Sequence, residues 1–155
     1  MKNFFLLAKA LLLACCLAPM AMANDELITE QSNRSVAATI DRLTDGIRAR
    51  GWTILATVDH AAQAAEFGVK IMPRTTIIFV NMEAWVKFLL DSPTVGIELG
   101  HRVLVWQDAE GTWITRNTMA HYRRHTLGRH ELRPMPVALQ LFYADYDAVV
   151  KASTQ

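Results

Sequence analysis

Apolar side chains recur with a helical period in the first third of the chain. Four of them follow one another at steps of four, three and four residues: Val36, Ile40, Leu43 and Ile47. This spacing places them on one face of an amphipathic helix. Ser35 can cap the start of that helix, and Gly51 can end it in a left-handed conformation. The pattern predicts a helix with one buried side.

Shorter apolar and β-branched runs predict five strands. They cover residues 26–31, 52–58, 75–80, 102–107 and 112–115. Each run is too short for a buried helix, and Gly111 suits the turn of a hairpin between the last two. Further helices are predicted after Asp59, over 83–90, over 118–126 and from Pro136 to about residue 150. The element order β-α-β-α-β-α-β-β-α-α predicts an α+β (two-layer α/β) fold, in which a mixed sheet carries helices mainly on one face.

The first 23 residues have the pattern of a secretion signal. Lys2 provides a positive charge, an apolar run follows over residues 10–17, and Ala21-Met22-Ala23 fits the small-x-small rule of signal peptidase. We predict cleavage after Ala23, which leaves residues 24–155 as a single periplasmic or secreted domain. Two alternatives stay open: the segment remains as a membrane anchor, or Cys15 carries the lipid of a lipoprotein.

The composition that remains after this cleavage excludes several kinds of site. Both cysteines of the chain, Cys15 and Cys16, lie in the predicted signal. Disulfides, thiolate chemistry, iron–sulfur clusters and cysteine-bound zinc are therefore excluded for residues 24–155. The chain has 16 Lys and Arg residues and 15 Asp and Glu residues. Removal of Lys2 and Lys9 with the signal leaves 14 basic residues, so the net charge of residues 24–155 is 14 − 15 = −1. We expect no nucleic-acid binding, and no membrane span after signal removal.

Three motifs around the third predicted strand carry a resemblance to a known family. They are Val58-Asp59-His60-Ala61-Ala62, Pro73-Arg74-Thr75-Thr76 and Ile78-Phe79-Val80-Asn81. Together with matches downstream, they make residues 35–127 similar to the bacterial and archaeal family called domain of unknown function 302. The resemblance implies a compact α/β domain, often exported or fused to other modules, and brings no established activity. The chain departs from the family pattern in two loops, at 80–82 and 98–100.

Asp59 and His60 lie at the junction between a predicted strand and a predicted helix. Because the pKa of histidine lies near neutrality, His60 can serve as a general base, a metal ligand or an anion donor. Asp59 could orient the imidazole as a catalytic partner. Neighbouring strand residues point to opposite faces, however, which favours Asp59 as the cap of the following helix. Both interpretations stay open at this point.

Arg74 and Asn81 bracket the strand that follows Pro73. If this strand runs parallel to the preceding one, Asn81 lies at the same edge of the sheet as His60, where ligands of open α/β sheets bind. Arg74 then lies at the opposite end. The alternatives are a surface ion pair or carbonyl cap for Arg74 and a local side-chain turn for Asn81.

Residues 116–133 form a basic segment. It contains five arginines against one acid, Glu131: Arg116, Arg123, Arg124, Arg129 and Arg133. His121 and His125 are four residues apart on a predicted helix, which is the spacing of a two-histidine metal site, and His130 is a third potential ligand. A solvated basic face and a site for an anion or an acidic partner are the alternatives.

These features together predict an exported small α/β domain with a ligand-binding or accessory role. The expected site lies at the strand edge around His60, with Asn81, Arg74 and His125 as further ligand-binding residues, and the ligand is a small anion or a protein partner. One alternative is an enzyme in which His60 is the acid/base and Asp59 orients it. The other is a metal-binding protein that uses His121 and His125. The sequence identifies no cofactor, and exposed sheet edges are compatible with a homodimer.

Overall fold

The structure, a computed structural model, describes residues 26–132 and 137–155, and within the last helix it leaves the side chain of residue 138 undescribed. The predicted signal, its cleavage after Ala23 and the alternative at Cys15 all lie outside the described residues. So do Arg133 and Pro136. Within the described part, no helix combines the length and the apolar character that a membrane span requires.

Five strands form one sheet. They are β1 (Leu27–Ser32), β2 (Thr53–Asp59), β3 (Arg74–Val80), β4 (His101–Gln107) and β5 (Thr112–Asn117). Their spatial order is β1-β5-β4-β3-β2, and every neighbouring pair is antiparallel. β1 and β2 are therefore the two edges of the sheet.

The helices occupy the intervals that the apolar pattern predicts. They are α1 (Val36–Ala49), α2 (His60–Glu66), α3 (Met82–Asp91), α4 (Met119–His121, continuing as a π-helix over Tyr122–Leu127) and α5 (Val137–Thr154). A 3₁₀ helix, Pro93–Glu98, follows α3. Ser35 caps α1 by accepting from a backbone N–H, and Gly51 has the left-handed φ of +71°. The α+β class and the predicted element order are confirmed.

The expectation of a mixed sheet with β2 parallel to β3 is wrong. Asp59 pairs with Thr75 and Thr53 pairs with Val80, so the two strands run in opposite directions. α2 explains this arrangement: its seven residues rise ~10 Å, whereas a seven-residue strand is ~23 Å long. The helix does not carry the chain back to the start of β2, and β3 begins beside the end of β2.

The core lies between one face of the sheet and the helices α1, α3 and α5. Leu43 and Ile47 of α1 and Trp85 of α3 are at most 1% exposed. The inward residues of the central strands alternate with outward ones, as Ile77 and Phe79 do in β3. Burial of each large apolar side chain contributes about 1.5–3 kcal/mol relative to exposure. This packing fixes α1, α3 and α5 on a single side of the sheet.

The opposite face of the sheet carries half-exposed apolar and hydroxyl side chains. Ile78, Leu104 and Trp106 are only partly buried there. Trp106 and Trp113 stack with ring centroids 6.0 Å apart. We call this surface the open face. Trp52 and Trp85 are buried in the core, whereas Trp106 and Trp113 lie on the open face.

Candidate metal centre

Glu26 meets two histidines of α4 just before the chain enters β1. Its Oε1 atom lies 2.8 Å from Nε2 of His125, and its Oε2 atom lies 3.4 Å from Nδ1 of His121. The two imidazole rings are 4.7 Å apart between centroids. The guanidinium of Arg124 also donates to Oε1 of Glu26. We call Glu26, His121 and His125 the α4 centre.

Backbone contacts hold the two halves of this centre together. The N–H of Thr118 donates to the carbonyl oxygen of Glu26 at 2.8 Å. The Thr118 hydroxyl caps α4 by accepting from the N–H of His121 at 3.2 Å. Beyond His121 the helix widens into its π-helical segment, and such segments occur frequently at functional sites. Side chains 95 and 99 residues apart in the sequence thereby converge.

The carboxyl group of Glu26 is ionised at neutral pH. The hydrogen bond with His125 is the main cause that lowers its pKa from 4.5 to about 2. Partial burial opposes this shift, whereas His121 and Arg124 lower the pKa further. Each of these partners favours the negatively charged form. The centre therefore presents a carboxylate beside two imidazoles.

The spacing of these groups suits a shared metal ion. One ligand atom from each of the three residues lies within 4.8 Å of the others. Two atoms bound to one zinc ion at about 2.1 Å are roughly 3–3.5 Å apart, and the carboxylate–imidazole distances of 2.8 and 3.4 Å are already close to that range. The side chains of His121 and His125 are 29% and 49% exposed, so solvent reaches the centre.

The other described members of the basic segment lie elsewhere. Arg116 is buried in the core, and Arg129 donates to Glu98 at 2.8 Å. His130, the third potential ligand named from the sequence, lies outside the centre, with its Nδ1 atom 2.9 Å from the Thr94 hydroxyl oxygen. Arg116, Arg124 and Arg129 therefore each pair with a different acidic residue: Asp147, Glu26 and Glu98.

His60 lies at the start of α2, with its Nε2 atom 2.8 Å from Oγ1 of Thr76 on the open face. Asp59 caps α2, and its Oδ1 atom accepts from the N–H groups of Ala61 and Ala62 at 2.9 and 3.0 Å. Among the described contacts, no hydrogen bond joins Asp59 to His60. The carboxylate serves the helix backbone, and the imidazole bonds to a hydroxyl.

Because β2 and β3 are antiparallel, Arg74 lies at the end of the sheet predicted for Asn81, and Asn81 lies at the end predicted for Arg74. Asn81 lies at the end of β3 far from His60 and caps α3, where its Oδ1 atom accepts from two backbone N–H groups at 3.1 and 3.4 Å. Arg74 lies at the His60 end and faces the same side of the sheet as Thr76. Its Nε atom donates to the carbonyl oxygen of Met72. The prediction that His60 and Asn81 lie at the same edge of the sheet is wrong.

Glu26 is the functional candidate that the sequence did not reveal. It is the first residue of the predicted strand 26–31, shortly after the predicted signal, where an acidic residue is ordinary. Only the pairing of β1 with β5 brings it beside α4. The spacing of His121 and His125 was a usable local signal, whereas their carboxylate partner required the fold.

A family model matches most of the described chain. Residues 28–151 match the model described as Domain of unknown function DUF302.
The chain belongs to the DUF302 family.
A solved structure described as an uncharacterized conserved DUF302 protein from Bacillus stearothermophilus aligns with a TM-score of 0.65 and 18% identity, over 83% of this chain and 98% of that chain. This structural similarity shows that the two proteins share a fold.

This DUF302 chain is also similar to part of longer Brucella proteins named fluoride-specific ion channels. FluC 1 of Brucella suis is 38% identical over 113 residues, which cover 71% of this chain and 44% of that protein. FluC 1 of Brucella abortus and FluC 2 of Brucella melitensis have the same identity and length of match, covering 42% of each protein. The chain therefore spans less than half the length of these relatives.

Proposed function

We propose that this DUF302 protein is an exported accessory domain that binds a divalent transition-metal ion at the α4 centre. The observation that carries the proposal is the convergence of one carboxylate and two imidazoles, with ligand atoms within 4.8 Å of one another. Two histidines and one carboxylate form a recurrent ligand set for zinc and for iron(II), in sites that keep positions open to solvent.

Arg124 competes with the metal ion for Glu26. Its guanidinium donates to the same carboxylate oxygen that His125 contacts, and its side chain is 57% exposed. Metal binding therefore exchanges one cation for another at Glu26. Because an exposed ion pair contributes about 0.2–1 kcal/mol, we expect Arg124→Gln to tighten metal binding by up to about fivefold.

The test uses protein made without a histidine tag and stripped with a chelator. Calorimetric titration with zinc should give one equivalent for the wild type, and at least tenfold weaker binding for His121→Ala and for His125→Ala. His130→Ala is the matched control, since it removes a histidine that bonds to Thr94 outside the centre. Unaltered affinity in both α4 variants contradicts the proposal.

The accessory role is supported by the relatives, in which similar sequence forms one part of proteins named fluoride-specific ion channels. This chain would supply a related module as a separate protein that works beside a membrane ion transporter. A strain that lacks the gene should then grow less well in graded fluoride than its parent. Equal sensitivity contradicts this role and leaves the metal-binding measurement unaffected.

Two separate measurements test export and the formation of a homodimer. The predicted signal directs the protein to the periplasm, so mass spectrometry of the mature protein should find Asn24 at its N-terminus. A lipidated Cys15 would instead show a membrane-anchored lipoprotein. Light scattering on the purified protein tests for a homodimer, for which the two sheet edges, β1 and β2, are available surfaces.

A ligand site around His60 is the second candidate function, and the contact of His60 with Thr76 on the open face favours it. Arg74 lies at the same end of the sheet and pairs in register with Trp106 of β4. An imidazole, a hydroxyl and a guanidinium beside an aromatic ring suit a small anionic molecule or an acidic partner. Thermal-shift screening against anions, with His60→Ala beside the wild type, tests this site. A shift that His60→Ala retains places the ligand elsewhere.

A further inference from the structure

The last helix, α5, carries apolar and aromatic side chains around its whole circumference. One side packs into the core, where Leu139, Phe142 and Tyr146 are at most 2% exposed. On the opposite side, Val137 and Leu141 are 68% and 62% exposed. A helix that is apolar all round is normally buried all round. In the described part of the chain, however, the outer side of α5 is left uncovered.

Four exposed residues form a continuous stripe along that outer side. Val137, Leu141, Ala144 and Ala148 follow one another at steps of four, three and four residues, and all of them are exposed. This is the spacing of the a and d positions of a coiled coil, which pack against a second helix. We call these four residues the α5 stripe.

The neighbouring helix α3, which contacts α5, shows the same feature. Its residues Met82, Val86 and Leu90 recur at steps of four and are all exposed. The charged residues of α3 follow a separate line, on which Nζ of Lys87 donates to Asp91 at 2.8 Å. Single exposed apolar residues are ordinary on a protein surface, whereas aligned ones on two adjacent helices indicate a surface that another molecule covers.

The sizes of the side chains in the α5 stripe make it complementary to itself. Its first half bears the large Val137 and Leu141, and its second half bears the small Ala144 and Ala148. When two α5 helices lie antiparallel about a twofold axis, Leu141 faces the partner's Ala144 and Val137 faces the partner's Ala148. Both pairs are centred on one point midway between Leu141 and Ala144, so a single register satisfies them. A parallel pair would instead set large side chains against large ones at one end only.

The polar residues that border the stripe fit the same arrangement. Gln140 and Asp147 are seven residues apart, so they border the stripe on the same side, and both are exposed. In an antiparallel pair Gln140 lies near the partner's Asp147, where its amide N–H can donate to the carboxylate. Asp147 also accepts from Arg116 at 2.8 Å, and a carboxylate has acceptor sites for both donors. Asp145 borders the other side, where solvent screens its repulsion by the second copy.

We propose that this protein forms a homodimer in which the α5 stripes of two copies pack antiparallel. The partner is therefore a second copy of this chain, and the interface is α5 and not an edge of the sheet. A lipid surface is disfavoured as the occupant, because the carboxylates of Asp145 and Asp147 border the stripe, whereas helices that lie on anionic membranes carry Lys and Arg there. The α5 stripe shares no residue with the α4 centre, so the dimer and metal binding stand or fall separately.

Sedimentation equilibrium of the mature protein, residues 24–155, tests the proposal in buffer that contains a chelator. We expect a reversible equilibrium between monomer and dimer for the wild type. Ala144→Leu should weaken the dimer at least about tenfold, because its larger side chain meets the partner's Leu141. The exchange variant Leu141→Ala/Ala144→Leu should recover most of the lost affinity, since it again sets a large side chain against a small one. Only the antiparallel register predicts this recovery.

Two further variants separate α5 from the other surfaces. Leu141→Glu should be monomeric, with the circular dichroism and the zinc affinity of the wild type, because this side chain is mostly exposed in the monomer. Thr57→Lys places a charge on the edge strand β2, which blocks pairing between sheet edges, and should leave the dimer intact. A monomeric wild type would overturn the proposal, whether or not that monomer binds phosphatidylglycerol vesicles. So would a dimer that Thr57→Lys dissociates and Leu141→Glu does not, or an exchange variant that recovers no affinity.

Discussion

Acid should destabilise the protein through His101, a residue that lies far from any surface. Its imidazole is 0% exposed, and burial holds its pKa at about 3 against an ordinary 6.5. The perturbation is a change from pH 7 to pH 5, applied to the wild type and to His101→Gln. Glutamine does not titrate, and its amide oxygen can still accept from the indole N–H of Trp85.

The magnitude follows from the two pKa values of His101. Between pH 6.5 and pH 3 the unfolded chain binds a proton that the folded chain does not, so the free energy of unfolding falls as the pH falls. Above pH 6.5 this residue contributes nothing. One pKa unit corresponds to about 1.4 kcal/mol, so the step from pH 7 to pH 5 costs roughly 2 kcal/mol. For a domain of this size that corresponds to a decrease of about 8 °C in the melting midpoint.

Urea unfolding at pH 7 and pH 5 measures this difference. The wild type should lose about 2 kcal/mol more than His101→Gln over the interval. The interval stops at pH 5 because the stabilisation linked to Glu26 is lost only as the pH falls from 4.5 to about 2. Equal pH dependence in the two proteins would instead show that His101 has the same pKa in the folded and unfolded states.

Three further predictions concern the loops and caps of the fold. Gly100 has a φ of +113°, and a Cβ added there would lie 2.9 Å from a side-chain carbon of β3. Gly100→Ala should therefore lower the free energy of unfolding in urea by about 1–3 kcal/mol. Gly96→Ala is the control that should be tolerated, because the nearest atom to its added Cβ is 3.6 Å away. Asn81→Ala should cost about 0.5–2 kcal/mol by removing the cap of α3, whereas Asn81→Asp should keep most of the stability. The hydrogen bond from Trp113 is the main cause that lowers the pKa of Asp108 below 3.8, so the stabilisation is present above pH 3.8 and lost as the pH falls further. Trp113 fluorescence should report that loss, and a titration midpoint at or above 3.8 contradicts it.

The elements of the fold were predictable from the sequence because their signals are local. The stripe that contains Leu43 and Ile47 predicts α1, and Ser35 and Gly51 lie at its ends as expected. Strand direction was not predictable in this way. It depends on how far the connection through α2 carries the chain, whereas a helical connection between two strands usually indicates parallel pairing.

The residues of the candidate site also differ in whether a local sequence pattern identifies them. His121 and His125 were accessible because four-residue spacing defines one helix face. Glu26 was not, since it lies 95 positions from His121 and approaches it only through the pairing of β1 with β5. The misplacement of Asn81 at the His60 edge follows directly from the wrong strand direction. His101 gave no sequence signal either, because an imidazole in a β-strand does not reveal whether its ring faces the core or water.

Metal binding at the α4 centre is tested by the metal stoichiometry of tag-free protein, compared between the wild type and Glu26→Gln. The exchange removes the carboxylate and keeps nearly the same shape, and Glu83→Gln on the exposed side of α3 is its control. We expect one bound divalent ion in the wild type and in the control, and at least tenfold weaker binding in Glu26→Gln. A wild type that takes up no metal, or a Glu26→Gln variant that binds as tightly as the wild type, would contradict it.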